Sequence, residues 1–238
     1  MGRGPSIAGR KGVEDAKRGA VFTKLIREIT VAARTGGVEP AGNARLRIAI
    51  DKAHAVSMPK DTIDRALKRA SGEGADATVE IRYEGYGPGG VAVMVDCMTD
   101  NPTRTVAEVR HAFVKNGGNM GTSGSVAFQF AEVGELIFEL GGTVTEDKLM
   151  EVALDAGADD VVSDEGYCDV ITSPGNYEAV KKALEAAGLK PLQAEVTMRP
   201  ANRVAVEGEV AEHLQKMIDM LDGLDDSQAV YHNADLPG

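Results

Sequence analysis

Lysine and arginine residues are concentrated in the first third of the chain, where they recur at helical spacing. Residues 1–75 carry 15 basic and eight acidic side chains, whereas the remaining residues carry 11 basic and 29 acidic ones. The first part therefore has a net charge of +7 and the rest one of −18, although the whole chain is acidic at −11. Such a segregation of charge is typical of proteins in which a basic segment binds a polyanion and an acidic segment keeps the protein soluble.

The spacing of these cations places several of them on one face of a predicted helix over residues 13–34. At 100° per residue, the apolar side chains between Val21 and Ala33 gather on one side, and four cations lie nearly opposite. Exposed guanidinium and ammonium groups suit the oxygens of phosphates. We therefore predict phosphate contacts to a nucleic acid by a set of cations before and within the first of three successive helices and within the third. The set is Arg10, Lys11, Lys17, Arg18, Lys24, Arg27, Arg34, Arg65, Lys68 and Arg69.

Aromatic side chains, which stack on unpaired bases, are scarce. They make up 4% of the chain, tryptophan is absent, and Phe22 lies on the apolar face of its helix. Contact with the nucleic-acid backbone is therefore favoured over base stacking.

Catalytic and metal-binding patterns are not found. Cys97 and Cys168 lie in apolar runs, which favours buried free thiols, and the four histidines lack metal-ligand spacing. The Gly-rich stretch Gly85–Gly90 contains no lysine and opens no helix, so it reads as a hairpin turn rather than a phosphate-binding loop. We therefore predict no enzymatic activity, no metal and no cofactor.

A second group of polar residues is predicted at the junction between domains. The stretch from Asp100 to Thr105 joins a buried strand to a helix, and its structural role would be helix capping. A functional role would bring it together with polar residues of the same helix and of the C-terminal strand. The predicted cluster is Asp100, Asn101, Arg104, Glu108, Arg110, His111, Tyr231, His232 and Asn233. A pocket for an enzyme at this junction is the less favoured alternative.

The hydrophobic period changes along the chain and predicts the fold class α+β. Three short amphipathic helices form an N-terminal bundle, after which the period becomes two. The order β-α-β-β-α-β from residue 135 is the ferredoxin-like pattern. The incomplete pattern before it, with strands at 91–98 and 125–130, would be completed by the C-terminal strand, helix and strand. We predict a basic helical domain, a discontinuous ferredoxin-like domain and an acidic ferredoxin-like domain inserted into it: 1–76, 77–133 with 200–238, and 134–199.

The acidic inserted domain is the part that suits a protein partner. Its carboxylates could support a protein-interaction scaffold, which is an alternative to nucleic-acid binding for the chain as a whole. No apolar stretch approaches the length of a membrane span and no signal peptide is recognised, so no membrane contact and a cytoplasmic location are expected.

Several long motifs resemble the YebC/PmpR family, and the resemblance spans essentially the whole chain. They are Asp15–Gly19, Phe22–Ile29, Tyr83–Gly90, Arg104–His111 and Tyr231–Asp235. The family's usual Gly-His-Ser-Lys-Trp start is replaced here by Met1–Lys11, without tryptophan. The resemblance implies a three-domain α/β protein of the bacterial cytoplasm without catalytic residues.

The same resemblance implies two alternative functions. The family label is that of a probable DNA-binding transcriptional regulator. Its relatives include a mitochondrial translational activator of cytochrome oxidase, and members act on the ribosome, easing synthesis of proline-rich stretches. The expected partner of the N-terminal domain is thus DNA or ribosomal RNA, and the residues do not rank the two.

Overall fold

The computed structural model describes residues 18–72 and 78–237, and these form two compact units. The first unit comprises Met1–Ala127 with Arg203–Gly238, and the second comprises Phe128–Asn202. Helices and antiparallel sheets both contribute, which confirms the α+β class. The predicted boundary at residues 76 and 77 lies outside the described residues. Within the described ranges, no helix is both long enough and apolar enough to cross a bilayer.

The first unit begins with three helices: α1 (Arg18–Gly36), α2 (Ala44–Ala55) and α3 (Lys60–Ala70). The left-handed Gly37 (φ 95°) ends α1, as the glycine pair predicts. Asn43 then fixes α2 against α1, since its Oδ1 accepts the Leu46 N–H at 3.0 Å while its Nδ2 donates to the Ala32 carbonyl oxygen at 2.8 Å. The shared core is built from small and aliphatic side chains, including Ile29, Leu46, Ala49, Met58 and Ile63.

A four-stranded antiparallel sheet forms the rest of the first unit, together with two helices. The strand order is β3-β1-β2-β9, with β1 (Val79–Tyr86), β2 (Ala92–Thr99), β3 (Asn119–Met120) and β9 (Ser227–His232). The helices are α4 (Pro102–Lys115) and α7 (Gly208–Asp222). They cover the sheet with a core that includes Val93, Val95, Phe113, Leu214 and Met217. The short strands β8 (Val204–Ala205) and β10 (Ala234–Asp235) pair separately, in parallel.

This sheet differs from the predicted ferredoxin-like one. Residues 125 and 126 form a bend and Ala127–Gln129 a 3-10 helix, so of the predicted strand 125–130 only Phe130 is in a strand. The reason is the buried Glu84, whose carboxylate accepts the backbone N–H groups of Gly124, Val126 and Ala127 at 2.6, 3.0 and 2.6 Å. Those N–H groups are therefore unavailable for a strand ladder, and the sheet is completed by β1 on one side of β2 and β9 on the other.

The second unit has the element order β-α-β-β-α-β that its periodicity predicts. It contains β4 (Phe130–Glu139), α5 (Glu146–Asp155), β5 (Asp160–Asp164), β6 (Tyr167–Thr172), α6 (Tyr177–Ala186) and β7 (Gln193–Pro200). The antiparallel strand order is β5-β6-β4-β7. Buried side chains on the sheet and both helices include Leu136, Phe138, Leu149, Val170 and Leu184. The unit carries 15 acidic and five basic side chains, a net charge of −10.

Both cysteines are buried free thiols, as predicted. Burial, with a smaller effect of the nearby carboxylates of Asp226 and Asp96, raises the pKa of Cys97 to about 12. Burial likewise raises the pKa of Cys168. Both thiols therefore stay protonated at neutral pH and are poor nucleophiles.

Candidate nucleic-acid interface

Three cations at the end of α3 form an exposed group, here called the α3 cluster: Arg65, Lys68 and Arg69. The sequence places them there because Ile63 and Ala66 turn the opposite face of the helix into the core. Arg65 is held by local contacts only, from Nε to the Asp61 carbonyl oxygen at 3.1 Å and from Nη2 to Thr62 Oγ1 at 3.2 Å.

Like Arg65, the other two members of the α3 cluster carry their charge without an ion pair. Within residues 18–72 and 78–237, the side chains of Lys68 and Arg69 contact no carboxylate at ion-pair distance. A polyanion would therefore meet cations that need not first release an internal partner.

Two cations of α1 in the predicted set face acidic residues of the same unit instead. Lys24 Nζ lies 2.6 Å from Asp222 Oδ1 and 3.1 Å from the Asp222 carbonyl oxygen. Arg27 donates from Nη1 to the Asp225 carbonyl oxygen, and the same nitrogen lies 3.9 Å from Asp226 Oδ1. These partners belong to the 222–226 segment, which joins α7 to β9. The sequence predicted phosphate contacts for Lys24 and Arg27, and it gave no sign of these contacts with the 222–226 segment.

The remaining predicted cations lie at the ends of α1 or before it. Arg34 is exposed in the last turn of α1. Arg10, Lys11 and Lys17 lie outside the described residues, as does the side chain of Arg18. Their contacts with nucleic acid stay predictions.

The buried carboxylate of Asp226 lies at the centre of the part of the predicted polar cluster around Arg104, although the sequence did not predict a role for this residue. Asp226 is 2% exposed and accepts hydrogen bonds from Arg104 Nη2 at 2.9 Å, Thr105 Oγ1 at 2.8 Å and Thr99 Oγ1 at 3.1 Å. Arg104 also contacts Asp100 Oδ1 at 3.1 Å. Burial by itself would raise the pKa of Asp226, but the bonds from Arg104 and the two threonines lower it below its usual range. Asp226 is therefore an anchored anion at neutral pH.

The capping role predicted for this stretch is confirmed. Asn101 is the N-cap of α4, and its Oδ1 accepts the Arg104 N–H at 3.1 Å. Pro102 occupies the first turn of the helix, where the missing N–H is not needed.

The C-terminal residues of the predicted cluster lie elsewhere. In the antiparallel register, Tyr231 pairs with Met94 and His232 with Val93, so they lie near the start of β2, whereas Asp100 follows its end. Asn233 is buried, and its Oδ1 accepts the Ala92 N–H at 2.8 Å. Asp226 and Ser227 instead lie opposite the end of β2, so a correct prediction of the β2–β9 register would have pointed to Asp226. His111 and Arg110 are exposed on α4, and the side-chain hydrogen bonds of Asp226 come from Arg104, Thr105 and Thr99 instead.

A cleft of about 580 Å³ lies between α1 and α3 on one side and the start of α4 with the 222–226 segment on the other. Its lining includes Arg34 and Arg69 from the predicted cation set, and Asp100, Arg104 and Glu108 from the predicted polar cluster. The structure thus brings parts of both predicted groups together. In the described ranges, no group of three or more histidine, cysteine, aspartate or glutamate side chains is arranged to hold a metal ion.

The fold and charge distribution define an α+β protein with a basic helical segment, which comprises α1, α2 and α3. The sequence matches a family model described as the TACO1/YebC protein N-terminal domain over residues 4–73, and one described as the TACO1/YebC second and third domain over residues 78–234. The chain belongs to the TACO1/YebC family, as the motif resemblance predicted.

Relatives and a solved structure match over nearly the whole chain. A protein of Acidovorax sp. (strain JS42) is 61% identical over 97% of both chains, and one of Stenotrophomonas maltophilia (strain K279a) is 59% identical over 99% of this chain and 98% of the other. Both are named as probable transcriptional regulatory proteins. The crystal structure of a conserved hypothetical protein from Aquifex aeolicus, 43% identical, superimposes with a TM-score of 0.82 over 94% of this chain and 93% of the other.

Proposed function

We propose that the chain is a non-enzymatic regulator of gene expression that binds nucleic acid through phosphate contacts of its helical segment. Duplex DNA is the first candidate, because the relatives are named as probable transcriptional regulatory proteins. The observation that carries the proposal is the α3 cluster: three exposed cations in five residues, none of which makes an ion pair within the described ranges. The predicted cations before α1 would extend the same contact.

The proposal assigns separate tasks to the predicted domains. The basic helical domain (1–76) contacts nucleic acid, and the discontinuous domain (77–133 with 200–238) anchors it through the contacts of Lys24 and Arg27. The acidic domain (134–199) is repelled by phosphates, and its net charge suits a protein partner. Sequence preference would then come from residues other than the α3 cluster, because phosphate contacts carry no sequence information directly.

The test is the salt dependence of binding to a short labelled DNA duplex, for the full chain and for a triple variant that changes Arg65, Lys68 and Arg69 to glutamine. Each lost phosphate contact reduces the slope of log affinity against log salt by about 0.9. We therefore expect the slope to fall by up to about 2.7, with weaker binding at every salt concentration.

The matched control changes Lys115, Lys182 and Lys190 to glutamine. These three lysines are exposed and lie outside the helical segment, so the variant has the same change in net charge. It should keep the wild-type slope. Equal slopes for the two triple variants would count against the α3 cluster as the contact surface.

Translation is the alternative, with ribosomal RNA supplying the phosphates. Sedimentation of a cell lysate separates the two cases. Co-migration of the full chain with ribosomes, lost on RNase treatment and in the α3 triple variant, would assign it to translation. Absence of co-migration, together with protection of particular duplex sequences, would assign it to transcription.

A further inference from the structure

The cleft between the helical segment and α4 has walls of opposite charge. The α1 and α3 wall contributes Arg27, Arg34 and Arg69 and no carboxylate. The other wall contributes the carboxylates of Asp100, Glu108, Asp225 and Asp226, with Arg104 as its single cation. A cleft polarised in this way suits a ligand that carries an anion at one end and hydrogen-bond donors at the other.

Some of these charged groups already bind other residues that line the cleft. Asp226 and Asp100 bind Arg104, and Arg27 binds the carbonyl oxygen of Asp225. In contrast, the carboxylates of Asp225 and Glu108 make no ion pair within residues 18–72 and 78–237. The same holds for Arg69 on the opposite wall. The cleft therefore offers a guanidinium on one side and two carboxylates on the other.

Apolar side chains of both walls also line the cleft. Ile26 and Val31 come from α1, Met98 from the end of β2, and Leu224 from the 222–226 segment. The lining is more polar than apolar, which suits a charged ligand with a small apolar face, and a volume of about 580 Å³ falls within the usual range of ligand sites. The flat face of a nucleobase can cover these apolar side chains while its polar edge reaches a wall.

We infer that this cleft receives one unpaired nucleotide of a bound strand, with its phosphate at Arg69 and an amino-bearing base edge at Asp225 and Glu108. The inference rests on the proposed nucleic-acid binding and deepens it by naming a base-reading site, which an unpaired stretch of DNA or RNA can reach and a fully paired duplex cannot. Guanidinium groups bind phosphate oxygens, and carboxylates accept hydrogen bonds from the exocyclic amino group of cytosine. Uracil has a carbonyl oxygen at that position, so two carboxylates would repel its edge.

The probes are fluorescently labelled oligocytidylate and oligouridylate of equal length, bound to the full chain and measured by anisotropy. Wild type should bind oligocytidylate about tenfold more tightly, which is within the discrimination of one good base contact. The double variant Asp225→Ala/Glu108→Ala should bring the ratio of the two affinities close to one, chiefly because it binds oligouridylate more tightly than the wild type does. Arg69→Ala should weaken both probes by similar factors, because phosphate contacts do not depend on the base.

The matched control is the double variant Asp219→Ala/Glu212→Ala. Both residues are exposed on α7, and neither lines the cleft. The control removes the same negative charge, so it should tighten both probes equally and keep the tenfold ratio. A wild-type ratio near one, or a ratio that survives Asp225→Ala/Glu108→Ala, would overturn the base-reading site. If binding remains salt-dependent in that case, the proposed function stands. If neither oligonucleotide nor duplex binds with a salt dependence, both inferences fail.

Discussion

Replacing Asp222 with asparagine tests whether the 222–226 segment competes with nucleic acid for Lys24. The ammonium of Lys24 contacts both Asp222 Oδ1 at 2.6 Å and the Asp222 carbonyl oxygen at 3.1 Å. Asparagine keeps the shape of the side chain and the backbone carbonyl but removes the negative charge. The variant therefore weakens the hold on Lys24 without removing the contact to the backbone carbonyl oxygen.

The size of the effect follows from the exposure of the pair. The side chains of Lys24 and Asp222 are 21% and 35% exposed, so water screens much of their attraction. Ion pairs of this kind contribute about 0.2–1 kcal/mol. If a phosphate replaces Asp222 as the partner of Lys24, removing the competitor should raise the affinity for a duplex by about 1.5- to fivefold.

The assay compares Asp222→Asn with Asp219→Asn by anisotropy on the same duplex at low and moderate salt. Asp219 lies one turn earlier in α7, is exposed, and contacts Gln215 rather than a cation of the helical segment. The Asp219→Asn variant measures the increase in duplex affinity that comes from removing one negative charge alone. At low salt, Asp222→Asn should bind the duplex more tightly than Asp219→Asn does. The difference in affinity should shrink as salt screens the Lys24–Asp222 pair. Equal affinities for the two variants at low salt would refute the reasoning and leave Lys24 as a structural contact.

Two further predictions concern the stability of the first unit, measured by chemical denaturation. Glu84→Gln should lower the free energy of unfolding by about 1–3 kcal/mol, because an amide oxygen replaces a buried carboxylate that accepts three backbone N–H groups. Glu212→Gln, at an exposed position of the same unit, is its control. Although burial would raise the pKa of Glu84, these N–H groups lower it. Its stabilising effect is therefore complete above about pH 5 and disappears as pH falls through the lowered pKa, a loss that Glu84→Gln should not show. Gly85→Ala should cost about 1–3 kcal/mol, since its new methyl would lie 2.5 Å from the Asn119 carbonyl oxygen, whereas Gly42→Ala meets no atom within 4 Å and should change stability by less than about 0.5 kcal/mol.

Local patterns predicted the elements of the fold well. The apolar spacing of Ile63, Ala66 and Leu67 predicts α3, and the glycine after α1 predicts its end. The β-α-β-β-α-β order of the second unit is visible in the alternation of short apolar runs. Each of these signals lies within a few residues of the element that it describes, so no knowledge of long-range contacts is needed.

Contacts between distant parts of the chain were not predictable in the same way. Glu84 binds backbone N–H groups about 40 residues later, and this contact replaces a strand that the residue types alone favoured. Asp226 meets Arg104 and Thr105 only because β9 pairs with β2 in one particular register. A shift of two residues would preserve the alternation of faces and move the carboxylate away, so the sequence pattern alone does not select the register.

The distribution of charge along the chain is likewise not its distribution in space. Counting residues assigns +7 to the first third, but Lys24 pairs with Asp222 and Arg45 pairs with Glu28 and Glu80. Two of those three carboxylates lie beyond residue 75, so the excess positive charge that a polyanion meets is smaller than the count. Within the described residues, the charges of the α3 cluster are not neutralised by carboxylates in this way. One member of the cluster, Arg69, also lines the polarised cleft. A small phosphate-binding surface binds weakly on its own, so selectivity has to come from an adjacent contact with the bases. The cleft supplies a place for that contact, which is why its carboxylates, rather than further cations, should decide which strand is retained.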